Sequence, residues 1–167
     1  MIASFRVLGV PETQGSKTAV MRGGRAHVIE GSNGPKRQRF VDWRQAVRSE
    51  GQRWQEDQGN PGLFDGPLIV NLAFGLAKPA SAPKTRRTWP IKAQSGDIDK
   101  LARCVLDALT GVLFADDSQV VALASAKDFS EQPGLTVLVR TFDADIDALD
   151  PAWNLRRNVS ELTDAPA

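Results

Sequence analysis

The chain has 167 residues, of which 41% are hydrophobic, and this size and composition suit one compact domain. It has one cysteine, Cys104, and one histidine, His27, which excludes an intrachain disulfide and a zinc site built from cysteine and histidine. No apolar stretch approaches the length that spans a bilayer, so we expect an intracellular protein that does not contact a membrane.

The net charge of +1 hides an uneven distribution of charge. From residue 143 onward the chain has six acidic residues against two arginines, so this tail carries −4 and the preceding body +5. The basic residues of the body cluster in predicted loops, a pattern typical of contacts with a phosphate backbone. For any single cluster, a solvated loop or helix face is the simpler alternative.

The first third of the chain predicts a strand, a glycine-rich segment and a long helix. Residues 2–10 alternate as a strand does, and 11–34 form a basic segment with poor periodicity, which we interpret as a hairpin or a mobile loop. Over 35–58, apolar residues recur among charged ones and predict an amphipathic helix; they are Phe40, Trp43, Val47 and Trp54. We expect Trp43 and Trp54 in the core or at an interface.

The rest of the chain predicts three strands and a second helix. Residues 67–77 predict a strand, 78–94 a surface excursion rich in Pro, Ser, Lys and Arg, and 120–129 and 135–142 two more strands. The helix between them has an apolar face at helical spacing, formed by Ile98, Leu101, Ala102, Val105, Leu109 and Val112. We therefore predict an α/β fold of the α+β type, in which a mixed sheet packs against two main helices as one small domain over 1–142. The acidic tail, 143–167, is predicted to be peripheral or disordered.

Aspartates concentrate around the start of the second helix and before the strand that follows it. Asp97 and Asp99 lie at the helix start, and Asp116 and Asp117 precede the strand. Oxygen ligands of this kind suit Mg²⁺, for which Mn²⁺ can substitute. Residues two apart face the same side only in an extended segment, so a shared ion requires an extended chain through Asp97. Asp99 would then lie near the helix N-terminus, where the helix dipole favours a carboxylate or a bound phosphate.

Each of these aspartates also has a purely structural interpretation. Asp97 or Asp99 can cap the helix, and the pair Asp116-Asp117 can form only a turn before the strand. Taken singly, these interpretations are simpler than a metal site.

Three runs of sequence together resemble one known family. They are Asp97-Ile98-Asp99-Lys100-Leu101-Ala102-Arg103, then Leu106-Asp107-Ala108-Leu109-Thr110-Gly111, then Asp116-Asp117-Ser118-Gln119-Val120 with Lys127 further along the strand. They resemble the RusA family of Holliday junction resolvases of bacteria and their phages. The opening Gly9-Val10-Pro11 … Gly15-Ser16-Lys17 and the strand beginning Pro67-Leu68 match as well, so the resemblance covers most of residues 2–142 and leaves out the tail.

The resemblance implies a metal-dependent endonuclease that acts as a homodimer and resolves four-way DNA junctions by paired symmetric cuts. It also implies the bacterial cytoplasm as the place of action, for a host or a phage protein. Two-fold symmetry suits this substrate because two symmetric cuts require two equivalent sites. A nucleotide cofactor is not expected, since Ser16 separates Gly15 from Lys17 and breaks the P-loop spacing.

The resemblance assigns Asp97, Asp99 and Asp117 to the catalytic Mg²⁺ site, with Asp116 beside them. Better-known members have asparagine where this chain has Lys100 and lysine where it has Arg103. Arginine does not exchange protons near neutral pH, so we expect Arg103 to stabilise charge on the phosphate, together with Lys127. Without the resemblance, Lys127 is more simply an exposed strand residue. Contacts with the DNA are assigned to Lys17, Arg22, Arg25, Lys84, Arg86, Arg87 and Lys100.

Two other functions stay open at this point. The same acidic site serves a metal-dependent nuclease for other branched or flapped DNA, and a non-catalytic DNA-binding protein can use the same scaffold. Trp89, beside Arg86 and Arg87, is suited to stacking on an unpaired base.

Overall fold

The computed structural model describes residues 1–14, 17–30, 34–83, 85–92 and 95–142. Its strands are β1 (Ile2–Leu8), β2 (Lys17–Arg22), β3 (Arg25–Glu30), β4 (Leu68–Ala77), β5 (Val120–Ser130) and β6 (Gly134–Thr141). Its helices are α1 (Pro35–Asp57) and α2 (Ile98–Leu109), and a 3₁₀ turn at Asp117–Gln119 precedes β5. These elements confirm the predicted strands and helices. The predicted tail, 143–167, lies outside the described residues.

Four strands form one mixed sheet in the order β1-β6-β4-β5. β6 pairs antiparallel with β1 and β4, whereas β5 pairs parallel with β4 along its whole length. A parallel pair requires a crossover connection, and the chain between β4 and β5 provides it through α2. The chain is therefore a single α+β domain with β5 at one edge of its sheet.

Both helices contribute to one core with the sheet. In β4 and β6, alternate side chains are buried and exposed, as expected for a sheet with one covered face; the buried set includes Val70, Leu72, Phe74, Val137 and Val139. α1 contributes Trp43 and Val47 to the core, and Trp54 packs against it, which confirms the expectation for both tryptophans. Burial of these apolar faces is the main force that holds the helices on the sheet.

The apolar face of α2 differs from the prediction at its two ends. Leu101, Ala102, Val105 and Leu109 are buried as predicted, and so is Cys104. Ile98 is not part of this face, because its position in the first turn leaves it 37% exposed. Val112 is buried, but it follows the helix, which ends at Leu109.

The two helices approach most closely at Gly51 of α1. A methyl group at this position would lie 2.9 Å from Leu109 Cδ2 and 3.2 Å from Val112 Cγ1. Glycine within a helix lowers its stability by roughly 0.5–1 kcal/mol relative to alanine, so its place here reflects the close packing. Gln55, one turn further along α1, donates from Nε2 to the carbonyl oxygens of Gly62 and Val112 and fastens the helix to both loops.

The glycine-rich segment forms a hairpin, one of the two alternatives that its composition allowed. β2 and β3 pair antiparallel as a separate two-stranded sheet, and Arg22 and Arg25 flank a turn at Gly23-Gly24. Both glycines have positive φ, 57° and 75°, which suits a tight hairpin turn. Within the described part of the chain, neither helix combines the length and apolarity needed to cross a bilayer.

Candidate active site

The chain runs extended into α2 through Asp97, as a shared ion requires. Asp97 has φ −80° and ψ 137° and occupies the N-cap position, while Asp99 lies in the first turn of the helix. The Asp97 side chain makes no capping hydrogen bond, so its carboxylate is not used to terminate the helix. The capping interpretation of Asp97 is therefore wrong, and both carboxylates are exposed to solvent.

Gly96 sets the direction of this approach. Its φ is +71°, a conformation that other residues rarely adopt, and a Cβ there would lie 2.4 Å from Thr13 Cγ2. Gln14 donates its backbone N–H to the carbonyl oxygen of Lys100 at 3.4 Å, so the segment after β1 lies against the start of α2. The segment after β1 and the acidic start of α2 are thus joined by a backbone hydrogen bond.

Lys100 forms an ion pair with Asp97, with Nζ 2.6 Å from Oδ2. The hydrogen bond and the charge of Lys100 lower the pKa of Asp97, and Lys127 lowers it further. In return, Asp97 raises the pKa of Lys100, an effect that Asp99 increases and Arg103 opposes. The electrostatic coupling shows that Asp97, Asp99, Lys100, Arg103 and Lys127 form one cluster at the start of α2.

Lys127 reaches this cluster from β5. Its Nζ donates a hydrogen bond to the carbonyl oxygen of Gly96 at 2.5 Å, and the contact is partly buried. Lys127 is therefore not simply an exposed strand residue. Arg103, by contrast, is exposed and lies one turn beyond Asp99 on the same side of the helix, free to meet a phosphate.

The second acidic pair is built into the 3₁₀ turn before β5. Asp116 accepts a hydrogen bond from the Ser118 N–H through Oδ1 at 2.9 Å, and Gln119 Oε1 accepts from the Asp116 N–H at 3.2 Å. This capping box confirms the turn interpretation for Asp116, and the bonds from Ser118 lower the pKa of its carboxyl group. The adjacent Asp117 is exposed.

Gln119 fixes where that turn lies. Its Nε2 donates to the carbonyl oxygens of Phe64 and Gly66, at 3.2 and 3.1 Å, just before β4 begins. Gln119 was not among the residues predicted for the site. Its position three residues after Asp116, the spacing of a capping box, is the signal that could have revealed it.

The two acidic groups therefore lie at opposite ends of α2. The 12 residues of this helix extend about 18 Å, and the seven residue steps from Val120 to Lys127 in β5 extend about 23 Å. Asp97 and Lys127 lie at the N-terminal end of α2, and Asp117 lies beyond its C-terminal end, just before β5. Within the described parts of the chain, no three carboxylate, imidazole or thiol side chains approach closely enough to share one metal ion. A single chain thus does not bring Asp117 to Asp97 and Asp99.

The first acidic group still fits a hard divalent cation in part. Asp97 offers carboxylate oxygens from the extended end of the loop and Asp99 from the first turn of α2, and a cation, the Lys100 ammonium, already lies on Asp97. Mg²⁺ usually takes one or two carboxylates and completes its shell with water and substrate phosphate. The two carboxylates of the acidic group at the start of α2 are consistent with this coordination.

The residues predicted to contact DNA are spread over the hairpin, the segment between β4 and α2, and α2 itself, which contains Lys100. Arg25 is exposed beside the hairpin turn, and Arg86 and Arg87 are exposed in the segment between β4 and α2. Lys17 and Arg22 belong to β2, but their side chains lie outside the description, and Lys84 lies outside it altogether. Arg87 pairs with Asp128 of β5 and lies over the ring of Trp89, a grouping that sequence periodicity did not indicate.

Comparison with known proteins agrees with the resemblance noted in the sequence. The chain is 26% identical over 148 residues to the uncharacterized protein YqaN of Bacillus subtilis (strain 168), an alignment that covers 84% of this chain and 96% of that protein. The family model of the endodeoxyribonuclease RusA matches residues 17–140, which include both acidic groups and Lys127. By this match, the chain belongs to the RusA family of endodeoxyribonucleases.

Proposed function

We propose that the protein is a Mg²⁺-dependent endonuclease that resolves four-way DNA junctions by paired symmetric cuts. The observation that carries the proposal is the acidic start of α2, where the chain is extended through Asp97 and Asp99 follows in the first turn, with Arg103 and Lys127 beside them, in a chain of the RusA family. A host or phage protein of this kind would act on DNA in the bacterial cytoplasm.

Each residue of the cluster has a distinct role in this proposal. Asp97 and Asp99 would hold Mg²⁺, or Mn²⁺ in its place, which supplies an activated water and neutralises charge on the phosphate. Arg103 is exposed on the same side of α2 and would bind the scissile phosphate, stabilising the charge that develops on it. Lys127 holds the Gly96 carbonyl and so fixes the direction in which Asp97 presents its carboxylate.

Asp117 joins the site only if two chains combine. A two-fold axis near the middle of β5 would place Asp117 of one protomer at the Asp97 end of the other, because the two groups lie at opposite ends of the strand. Two observations support this arrangement: β5 is an edge strand of its sheet, and its Val121 and Leu123 side chains, 36% and 45% exposed, give apolar surface for a second protomer to cover. A strand edge of this kind pairs readily with a second strand. We therefore propose a homodimer with two composite sites.

The basic residues would hold the arms of the junction. Arg25 on the hairpin and Arg86 and Arg87 in the loop are exposed and would bind phosphates of the DNA. Lys17, Arg22 and Lys84 are proposed for the same role from their positions in the sequence. Such contacts are independent of base sequence and weaken as salt rises.

The test is a Mg²⁺ titration with a synthetic four-way junction, run beside linear duplex, a three-way junction and a flap. Paired symmetric cuts in the four-way junction alone are the expected result, and Asp99→Asn should bind the junction without cutting it. Equal cutting of flaps and three-way junctions would replace the proposal with a general nuclease for branched DNA. Cutting by Asp99→Asn would show that the metal site has been assigned to the wrong residues.

A further inference from the structure

Trp89 exposes a large aromatic surface in the segment that precedes α2 and the proposed cutting site. The residue lies in the segment between β4 and α2 and is 56% exposed, whereas Trp43 is buried and Trp54 packs against the core. Large aromatic side chains dominate cores and interfaces because their burial is strongly favourable. An exposed indole is therefore available to stack on a ligand.

Arg87 supports the indole from one side. Its guanidinium lies 5.3 Å from the centroid of the Trp89 ring, within the range of a cation–π interaction. Arg87 is itself held by Asp128 of β5, with Nη2 2.5 Å from Oδ2. The ring is thus backed by a charged group that is tied to the sheet, and much of its surface stays accessible.

The same segment offers partners for a phosphate. A shallow pocket of about 310 Å³ is lined by Lys78, Arg87, Thr88, Asp128 and Phe129. The Thr88 hydroxyl is buried and finds no hydrogen-bond partner among the residues that the structure describes. Lys78 and Arg87 outnumber the one carboxylate of the pocket, Asp128, and with the Thr88 hydroxyl they match the phosphate of a nucleotide whose base would stack on the exposed indole.

β5 places this group next to the acidic one. Asp128, which holds Arg87, directly follows Lys127, which holds Gly96, and consecutive Cα atoms are about 3.8 Å apart. Arg87 and Gly96 are therefore anchored at adjacent positions of one edge strand. A DNA strand with its phosphate at Asp97 and Asp99 would have its adjoining nucleotides at Trp89.

We propose that Trp89, backed by Arg87, binds one unpaired base next to the scissile phosphate at the branch point of the junction. The inference rests on the proposed function and adds the group that recognises the branch. Bases at a branch point are easier to unstack than bases within a duplex, and stacking on an aromatic ring tolerates any base. Trp89 would thus favour branched DNA over linear duplex without reading its sequence.

The test compares Trp89→Ala, Trp89→Phe and Ile91→Ala, all in an Asp99→Asn background that prevents cutting. Ile91 is 87% exposed two residues further along and serves as the matched apolar control. We expect Trp89→Ala to bind the four-way junction roughly 5- to 150-fold more weakly, the range for loss of one stacked base, with linear duplex binding unchanged. Trp89→Phe should keep most of the affinity, and Ile91→Ala all of it.

A second readout locates the base directly. A junction that carries 5-iododeoxyuridine at the branch point should, on irradiation, crosslink to Trp89, and linear duplex with the same base should not. The inference would be overturned if Trp89→Ala bound the four-way junction as tightly as the Asp99→Asn protein does. It would also be overturned if Ile91→Ala lost as much junction affinity as Trp89→Ala. Suppose one of these results is found, but the Asp99→Asn protein still binds the four-way junction more tightly than linear duplex and the wild type still cuts the junction. In that case only this inference fails. If neither holds, the proposed function fails as well.

Discussion

Lys127 Nζ donates a hydrogen bond to the carbonyl oxygen of Gly96, and this single contact ties an edge strand to the residue before Asp97. The bond is partly buried and joins positions 31 residues apart in the chain. Together with the backbone hydrogen bond from Gln14 to Lys100, it holds the segment that leads into α2. The position of the acidic pair is therefore set by β5 as well as by its own helix.

Replacing Lys127 should reduce cutting more than stability. Lys127→Met leaves the Gly96 carbonyl without its donor, at a cost of about 1 kcal/mol in the free energy of unfolding. Because a small misplacement of catalytic groups can reduce the rate on the order of 100-fold, we expect a 10- to 100-fold loss in single-turnover cleavage of a junction. Lys92→Met, an exposed lysine of the nearby loop, is the control. Full activity of Lys127→Met would remove Lys127 from the site.

Lys100 should compete with the metal ion for Asp97. Lys100→Asn removes the ammonium that lies 2.6 Å from Oδ2, so Mn²⁺ should bind on the order of 2- to 5-fold more tightly in the absence of DNA, the scale of an exposed ion pair. The measurement is an electron paramagnetic resonance titration with Mn²⁺, with Lys100→Arg as the variant that keeps the charge. Weaker binding by Lys100→Asn would show that Lys100 supports the ion instead.

The ion pair should affect stability only within defined limits of pH. Asp97 has a pKa below its ordinary 3.8, so its contribution is present above that value and is lost as the pH falls through the lowered pKa. Lys100 has a pKa above its ordinary 10.5, so the contribution is also lost as the pH rises through the raised pKa. The difference in melting temperature between the wild type and Asp97→Asn should be small, constant between these limits and absent in strong acid.

Asp57→Asn, an exposed change at the end of α1, should give no such profile. Asp116 also has a lowered pKa, but it is present in both proteins and cancels from the difference. A difference that grows in acid would contradict the assignment.

Composite sites make a specific prediction for mixed dimers. Asp97→Asn and Asp117→Asn should each be inactive alone. When the two proteins are mixed and allowed to exchange protomers, each heterodimer has one site without either substitution, so single nicks in the junction should reappear. Sites formed within one chain would give no recovery, because each would keep one substitution. Mixing two Asp97→Asn samples is the control.

Gly96 should tolerate no side chain. Gly96→Ala forces a positive φ on alanine and brings its Cβ to 2.4 Å from Thr13 Cγ2, so both stability and cutting should fall. Adding Thr13→Ser removes that methyl group and should recover part of the loss, while the backbone strain remains. Thermal unfolding and junction cleavage measure both effects. Wild-type behaviour of Gly96→Ala would contradict the close approach at Thr13.

The sequence predicted the elements of the fold well, because their apolar patterns are long and regular. α1 and β4 are examples, since helical periodicity and a buried apolar run identify each of them. The extended approach through Asp97 was also predicted, from the geometry that two carboxylates need to share an ion. The distance between Asp97 and Asp117 was not, because it depends on α2 and β5 running side by side in opposite directions. No local pattern encodes that arrangement.

The ion pairs were missed for a similar reason. The ion pair between Lys100 and Asp97 has an i,i+3 spacing, which is a local signal for such a pair at the start of a helix. Arg87 with Asp128 joins residues 41 positions apart, and only the fold brings them together. Local spacing thus predicts contacts within a helix, and the packing of elements determines the others.

The length of α2 has a consequence for the geometry of the cut. In the proposed dimer, the two cutting points would be separated by roughly the distance from Asp97 to Asp117 of one chain. The lengths of α2 and of β5 beside it would therefore determine the spacing of the two nicks. One added helical turn would lengthen α2 by about 5.4 Å without a matching change in β5. Such a protein would shift Asp97 away from Asp117 of the partner subunit, so both composite sites would be disrupted together with the spacing of the nicks.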